Sequence, residues 1–291
     1  MEGVAIEVRM NEYTTRDANP HVPWSPEEMA ADAAACAEAG AAIVHFHARD
    51  PGTGSPSTDA FLYGDTVRRI RAAGDLVVMP TLGANTLPDP ADRVAPLLAI
   101  SEDPETRPDL LPIDLGSFNL DPYDAANRRF RAEGLVYHNP VSALRYLAEV
   151  IVKAGVRPAA VLWSIGSARL LGAFIEMGVL AEPVYAELTL SETLLATHPG
   201  TVRGLQALVD FLPAGMRGEW SVLSVGGSLL PLVQAAVEAG GHLALGLGDY
   251  HYRELGTPTN AELVVEVVGI LRSLGRRPAT PGEVRAALAL P

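Results

Sequence analysis

The sequence predicts an α/β protein, a single (β/α)₈ TIM barrel that spans residues 1–291 and carries a long insertion after its fourth strand. Short β-rich runs alternate along the chain with amphipathic segments, which is the pattern of parallel strands joined by crossover helices. Eight such pairs follow one another without a linker, and this favours a closed barrel over an open sheet. A doubly wound open sheet is the alternative, but no G-x-G-x-x-G motif follows the first strand.

The strand candidates are short runs rich in apolar and β-branched residues. They are VAIEVR from Val4, AIVHFH from Ala42, LVVMPT from Leu76, LLPIDLG from Leu110, AVLWSI from Ala160, PVYAELT from Pro183, WSVLSV from Trp220 and HLALGL from His242. The longest connection, residues 117–139, follows the fourth of these strands. Loops of this length in compact domains are usually lids or contact surfaces, so we expect an insertion with a function there.

Eight helical patterns lie between or after the strands, and several carry clear start signals. They begin near Ser25, Asp59, Asp89, Ser142, Ser167, Thr201, Leu229 and Thr259. At Ser25-Pro26-Glu27-Glu28, an N-cap hydroxyl, a first-turn proline and a capping-box glutamate occur together. The tail from Thr280 predicts one more short capped helix, outside the eight units.

Composition and charge exclude several classes of function. The formal net charge is -13, whereas nucleic acids and anionic membranes require a basic surface. No apolar run is long enough for a membrane span, and the first residues lack a signal-peptide pattern. One cysteine, Cys36, cannot form an internal disulfide. We therefore expect a cytoplasmic enzyme that acts on small molecules.

Two histidines near the end of the second strand predict a metal site. Period-two alternation places Ile43, His45 and His47 on one face of this strand. Residues two apart on a strand are separated by about 6.6 Å at Cα, close enough for both imidazoles to reach one ion. Barrel active sites lie at the carboxyl end of the strands, where this pair ends and Arg49 follows. An isolated H-x-H is more often structural, but this position favours a divalent metal.

Polar residues also end the other strands, and their recurrence at one end of the barrel is the informative feature. They are Asn11, Glu12, Thr81, Asp114, Ser117, Asn119, Glu187, Thr189 and Asp249. Within the first strand, Glu7 and Arg9 share a face and predict a structural ion pair, because buried charges must be paired. His242 begins the eighth strand, at the opposite end of the barrel, and is not predicted to bind the metal.

At these residues the chain resembles the β-keto acid cleavage enzymes, the family of 3-keto-5-aminohexanoate cleavage enzyme. The resemblance covers nearly the whole chain. It is clearest in three segments: NPHVPWSPEEMAADAAACAEAGAAIVHFHARDPGTG, then EAGGHLALGLGDYHYRELGTPTNAELV, and finally LGRRPATPGEVRAAL. The long shared sequence around the H-x-H makes this match more specific than the motif alone.

The resemblance implies a zinc-dependent barrel, with Zn²⁺ or another divalent metal as cofactor, that assembles as a homotetramer. It also implies the conversion of a β-keto acid and acetyl-CoA into acetoacetate and a new CoA thioester by Claisen and retro-Claisen steps. His45 and His47 match the zinc ligands of the family, and Asp249 matches its catalytic aspartate. The positions that match substrate-contacting residues are Glu12, Thr81, Ser117 and Asn119.

Two departures from the family occur on the eighth strand. The family typically ends this strand close to GGHVRVGLEDN, whereas this chain reads GGHLALGLGDY. Gly248 therefore stands where the family has a third zinc ligand, a glutamate, and Ala244 where it has an arginine that assists the aspartate. Two imidazoles alone are too few for a catalytic zinc site.

We expect a carboxylate from another strand to complete the metal site, with Glu187 slightly favoured over Glu12. Arg49 is the candidate for a replacement cation with a catalytic role, and a structural role for it is equally compatible with the sequence. Two other functions remain open. One is a metal-dependent aldolase, hydrolase or isomerase that acts on an oxo acid without CoA, and the other is a non-catalytic barrel that binds a small acid or a protein.

Overall fold

The predicted strands form one parallel sheet in the computed structural model, which describes residues 1–82 and 87–291. The strands are β1 (Ile6–Arg9), β2 (Ile43–Phe46), β3 (Val77–Pro80), β4 (Leu110–Asp114), β5 (Arg157–Leu162), β6 (Val184–Ser191), β7 (Gly218–Val225) and β8 (His242–Leu245). Their order is β3-β2-β1-β8-β7-β6-β5-β4. The two ends of the sheet meet where the Asp109 amide donates to the Val78 carbonyl at 2.9 Å. The prediction of a TIM barrel is confirmed.

The helices among the described residues lie outside the sheet. They are α1 (Pro26–Ala39), α2 (Ala60–Ala73), α3 (Pro90–Ser101), α4 (Val141–Lys153), α5 (Ile165–Glu176), α6 (Val202–Val209), α7 (Val233–Glu238), α8 (Asn260–Ser273) and α9 (Pro281–Leu288). The first, second, third, sixth and eighth predicted starts coincide with N-cap residues, because each side chain accepts a backbone N–H in the first turn. No helix in this part of the chain is long and apolar enough to cross a membrane.

Three predicted helix starts are displaced in the structure. The N-cap of α5 is Ser164 and not Ser167, because Ser167 is the third residue of a capping box and bonds back to Ser164. α4 begins at Val141, directly after Pro140. A short 3₁₀ turn at Leu230–Leu232 precedes α7, which delays that helix to Val233. These shifts move helix boundaries by a few residues and leave the order of elements as predicted.

The insertion between β4 and α4 contains short strands that the sequence did not indicate. Phe118–Asn119 pairs with Val136–Tyr137, and Tyr123–Asp124 pairs with Arg129–Phe130, both antiparallel. The Phe118 ring packs on Trp163, which follows β5, with ring centroids 4.5 Å apart. The insertion therefore lies over the carboxyl end of the barrel.

Apolar side chains fill the lumen near its amino-terminal end. This inner cluster comprises Ala5, Ala42, Ile43, Val77, Met79, Leu110, Ala159, Tyr185, Ala279, Val284 and Leu288. The last two members belong to α9, so this helix covers the amino-terminal end. The predicted extra helix at Thr280 is confirmed, with Thr280 as its N-cap. Polar lumen residues are left at the carboxyl end.

A buried asparagine holds the ends of β1 and β8 together beside this polar region. Asn260 Oδ1 accepts from the Leu247 amide at 2.8 Å, and its Nδ2 donates to the Met10 carbonyl at 3.3 Å. Nδ2 also donates to Asp32 Oδ2 at 2.7 Å. Burial raises the pKa of Asp32 to about 6, although the Asn260 hydrogen bond opposes this.

Asp32→Asn is expected to stabilise the protein at pH 7 by up to about 3 kcal/mol, at roughly 1.4 kcal/mol per pKa unit. A carboxyl group whose pKa is higher in the folded chain than in the unfolded chain lowers the free energy of unfolding when it ionises. This loss is absent below the pKa of the unfolded chain and complete above the pKa of the folded chain. The stability gain of Asp32→Asn should therefore be absent at about pH 3.5 and complete above about pH 6. Urea unfolding at both pH values measures it, with the exposed Asp92→Asn as control. An equal gain at both pH values would contradict this explanation.

Candidate active site and metal centre

Three side chains meet at the carboxyl ends of β1 and β2. His45 Nε2 lies 3.0 Å from Glu12 Oε1, and His47 Nε2 lies 2.5 Å from Glu12 Oε2. One potential ligand atom from each residue lies within 4.8 Å of the other two. Two imidazoles and one carboxylate form a donor set that suits catalytic zinc, which keeps a further position for water or substrate. These residues fit the predicted metal.

The cluster combines an unpartnered imidazole nitrogen with a carboxylate held by ionic contacts. His45 Nδ1 is buried without a hydrogen-bond partner, and Glu12 Oε1 lies 2.7 Å from Arg9 Nη2 in addition to its contact with His45. Burial lowers the pKa of His47, although Glu12 opposes this, and so favours the neutral imidazole that metals bind. Burial alone would raise the pKa of Glu12, but Arg9, His47 and His45 hold it well below its ordinary value. The cluster therefore presents an ionised carboxylate beside a neutral imidazole.

The carboxylate of Glu12 reaches the histidines because of an unusual turn after β1. Glu12 has a φ of 31°, in the left-handed region that side chains other than glycine seldom adopt. Arg49 Nη2 donates to the carbonyls of Asn11 at 2.7 Å, of Thr14 at 3.2 Å and of Glu12. Its Nη1 donates to the Gly54 carbonyl at 2.6 Å. These bonds hold the turn in place.

The described contacts of Arg49 are with the backbone of this turn, and its predicted catalytic role stays a prediction. The sequence left a structural role equally open, and the structure supports that alternative, because its guanidinium donates to backbone carbonyls of the turn. The physical reason is its place beyond the end of β2, where the chain turns and brings the side chain over the neighbouring loop. Arg49 positions Glu12 through the backbone and does not reach Asp249 in any described contact.

The cation that does contact Asp249 is Arg9. Its guanidinium contacts four carboxylates, namely Glu7 at 3.2 Å, Glu12 at 2.7 Å, Glu187 at 3.0 Å and Asp249 at 3.0 Å. Burial works against the charge of Arg9, but these carboxylates keep its pKa well above the ordinary value. The predicted Glu7–Arg9 ion pair is confirmed, while the reach of Arg9 to Asp249 was not predicted. The alternation that places Arg9 with Glu7 on the lumen face is the signal that could have indicated this.

Glu187 was ranked ahead of Glu12 as the third ligand, and the geometry places it elsewhere. It lies on β6, which is four positions from β2 in the sheet order and thus across the lumen. Its Oε1 accepts from Arg9, and the metal-competent cluster of the described residues contains Glu12 in its place. Burial, together with the charge of Glu7, raises the pKa of Glu187 well above its ordinary value. The neutral acid is the form that a buried group in this position favours.

Asp249 lies just after β8 with its carboxylate against Arg9, whose Nε donates to Oδ1 at 3.2 Å. Burial raises the pKa of Asp249 to about 7, with Arg9 opposing this and Glu12 adding to it. A carboxyl with a pKa near neutrality can accept and return a proton under physiological conditions. Asp249 is therefore suited to general base chemistry at the mouth of the barrel.

The remaining predicted substrate contacts lie around the mouth at different depths. Thr81 is buried at the end of β3, where its amide donates to the Phe46 carbonyl at 2.9 Å. Ser117 accepts from the Asn139 amide at 2.8 Å and so closes the base of the insertion. Asn119 is exposed on the insertion and away from the lumen strands. The structure thus brings Thr81 to the mouth and leaves Asn119 on the outer surface.

Two aromatic residues lie at the mouth, and of these Tyr13 was not predicted as part of the site whereas Trp163 was expected to shape the substrate pocket. The Tyr13 ring contacts the His47 ring edge-on, with centroids 4.9 Å apart. Trp163 Nε1 donates to Asp114 Oδ1 at 2.7 Å, which places an indole beside a carboxylate at the ends of β4 and β5. Aromatic residues in loops carry no pattern that reveals a site, so the sequence offered no signal for Tyr13.

Residues 3–290 match the family described as BKACE, beta-keto acid cleavage enzyme. The chain belongs to this family. A relative from Rhizobium meliloti (strain 1021) is named 3-dehydrocarnitine:acetyl-CoA trimethylamine transferase. It is 31% identical to this chain, and the alignment covers 95% of this chain and 92% of the relative. The 3-keto-5-aminohexanoate cleavage enzyme of Fusobacterium nucleatum subsp. nucleatum is 26% identical, over 95% of this chain and 93% of its own.

A solved structure shows the same fold at lower identity. The apo structure of ObcA superposes with a TM-score of 0.74 at 18% identity. The alignment covers 93% of this chain and 66% of the ObcA chain, so this chain spans slightly less than two thirds of that protein. This likeness supports the barrel architecture of the β-keto acid cleavage enzyme described here.

Proposed function

We propose that the protein condenses a β-keto acid with acetyl-CoA to give acetoacetate and a new acyl-CoA, with a divalent metal, zinc by preference, at His45 and His47. Written with a side chain R, R–CO–CH₂–COO⁻ and acetyl-CoA give acetoacetate and R–CO–S-CoA. The observation that carries this proposal is the convergence of Glu12, His45 and His47 beside Asp249 at the open end of the barrel. Relatives named as acetyl-CoA transferases support acetyl-CoA as the co-substrate.

The residues of the chain divide the chemistry between them. The metal, when bound, would polarise the ketone and stabilise the enolate charge as it develops. Asp249, in its ionised form, accepts a proton from the carbon between the keto and carboxylate groups, which makes that carbon nucleophilic. Arg9 holds the Asp249 carboxylate through its Nε hydrogen bond. The apolar lumen and α9 below exclude water from the amino-terminal side.

A direct assay tests this reaction. The purified protein, supplied with zinc, is incubated with acetyl-CoA and β-keto acids whose side chains are cationic, neutral or anionic, and acyl-CoA products are followed by mass spectrometry. We expect acetoacetate and one new acyl-CoA in equal amounts. Turnover of an oxo acid without acetyl-CoA would instead favour the metal-dependent aldolase, hydrolase or isomerase. Absence of any acyl-CoA product across a wide panel would overturn the proposal.

Three further expectations stay predictions. They are the cytoplasmic location, the homotetramer implied by the resemblance, and the organisation of residues 1–291 as a single domain. The assignments of Thr81, Ser117 and Asn119 to substrate binding belong with them, and the structure describes their positions alone.

A further inference from the structure

Gly248 is a position where this chain differs from the family it resembles, and its surroundings explain how the difference is tolerated. A Cβ built on Gly248 would lie 2.7 Å from Glu12 Cγ, 2.9 Å from the Glu12 amide nitrogen and 2.9 Å from the Arg9 carbonyl oxygen. Contacts under 3.0 Å essentially never occur at real Cβ atoms. The side chain of Glu12 and the backbone of residues 9 and 12 therefore fill the space that a side chain at position 248 would need.

The conformation of Glu12 indicates that the chain maintains this arrangement at a cost. A glutamate with φ of 31° is strained, and strain of this kind costs on the order of 1–3 kcal/mol. It persists only where the surrounding structure holds it, and here Arg49 donates to carbonyls on both sides of Glu12. Such outliers concentrate at functional sites.

The turn after β1 brings the Glu12 carboxylate to His45 and His47. Both Glu12 oxygens face an imidazole Nε2, at 3.0 Å from His45 and 2.5 Å from His47. Oε1 also lies 2.7 Å from Arg9 Nη2. A carboxylate whose two oxygens each face an imidazole nitrogen, with ligand atoms of all three residues within 4.8 Å of one another, is placed as a metal ligand would be.

We propose that the third metal ligand is supplied by Glu12, from the end of β1, and that Gly248 is the residue that permits it. The ligand has thus moved from the eighth strand to the first, and positions 12 and 248 are coupled: a carboxylate enters from one side because the other side carries no side chain. This inference deepens the metal part of the proposed function and rests on it.

Metal binding by paired glutamine variants tests the ligand assignment. Glu12→Gln keeps the size of the side chain but removes the anionic ligand, and we expect its zinc affinity to fall at least about a hundredfold. Glu187→Gln is the matched control, since both glutamates contact Arg9. The zinc affinity of this variant should change by less than about threefold. Zinc content by elemental analysis and competition with a chromophoric chelator measure both. Unchanged affinity in Glu12→Gln would overturn the proposal.

A glycine pair tests the coupling. Gly248→Ala adds a Cβ where Glu12 lies, so zinc affinity should fall at least about tenfold in a protein whose circular dichroism is unchanged. Gly269→Ala is the control, because a Cβ there meets nothing within 4 Å. Wild-type affinity in a folded Gly248→Ala would contradict the coupling. If Gly248→Ala does not fold, the Glu12→Gln and Glu187→Gln comparison alone decides the assignment.

His45→Ala separates the failure of this inference from failure of the proposed metal site. If His45→Ala loses zinc while Glu12→Gln and Glu187→Gln both retain it, the site stands and the relocation of the ligand is wrong. If the wild-type protein takes up no zinc, both the relocation and the metal part of the proposed function are overturned. Loss of zinc in His45→Ala and Glu12→Gln, with retention in Glu187→Gln, supports both.

Discussion

His45→Ala and His47→Ala are each expected to lower kcat/KM for the proposed condensation at least about a thousandfold, equivalent to about 4 kcal/mol of lost transition-state stabilisation. The reason is geometric: the two imidazoles face the Glu12 carboxylate from β2, and one imidazole with one carboxylate is too few ligands for catalytic zinc. Initial rates with acetyl-CoA and a turned-over keto acid, together with zinc content, measure the effect.

The exposed His21 provides the control for these two variants. His21→Ala should keep its zinc and its activity within about twofold, since surface substitutions seldom change stability by more than about 0.5 kcal/mol. A His45→Ala protein that is folded, free of zinc and still active would show that the condensation does not depend on the metal. The role of the β2 histidines would then be structural.

Asp249→Asn is expected to lower kcat by about a hundredfold to ten-thousandfold, because the amide cannot accept the proton of the keto acid. Zinc content should remain that of the wild-type protein, since Asp249 is outside the Glu12, His45 and His47 cluster. Asp210→Asn, an exposed change at the end of α6, is the matched control and should leave kcat unaltered. Normal turnover by Asp249→Asn would exclude this residue as the base.

The pH dependence of the wild-type enzyme follows from the same carboxyl group. Burial raises the pKa of Asp249 to about 7, so the ionised form that acts as a base is lost as the pH falls below that value. We expect kcat/KM to decline about tenfold per pH unit on the acidic side. The residual activity of Asp249→Asn should lack this limb. An acidic limb of the same midpoint in Asp249→Asn would assign the titration to another group.

Local sequence signals predicted the barrel because each element is encoded over a few neighbouring residues. Ser25 and Thr259 mark helix starts through bonds to residues three positions away, so a capping box is visible without any knowledge of the fold. Strand alternation likewise placed His45 and His47 on one face, and the structure has both rings beside Glu12. The short strands within the insertion were missed because two-residue pairings carry no period.

The sequence by itself determined which strand side chains face the lumen, and only the tertiary structure decided which polar groups meet. Alternation turns Arg9 and Glu187 toward the lumen. Glu12 and Asp249 follow the ends of their strands, and the left-handed turn at Glu12 brings its carboxylate to the rim. Alternation also contains no distance across the barrel. β1 lies next to both β2 and β8, whereas β6 lies across the lumen from β2. Adjacency of strands therefore brings Glu12 to the histidines and Arg9 to Asp249, while Glu187 remains on the far side.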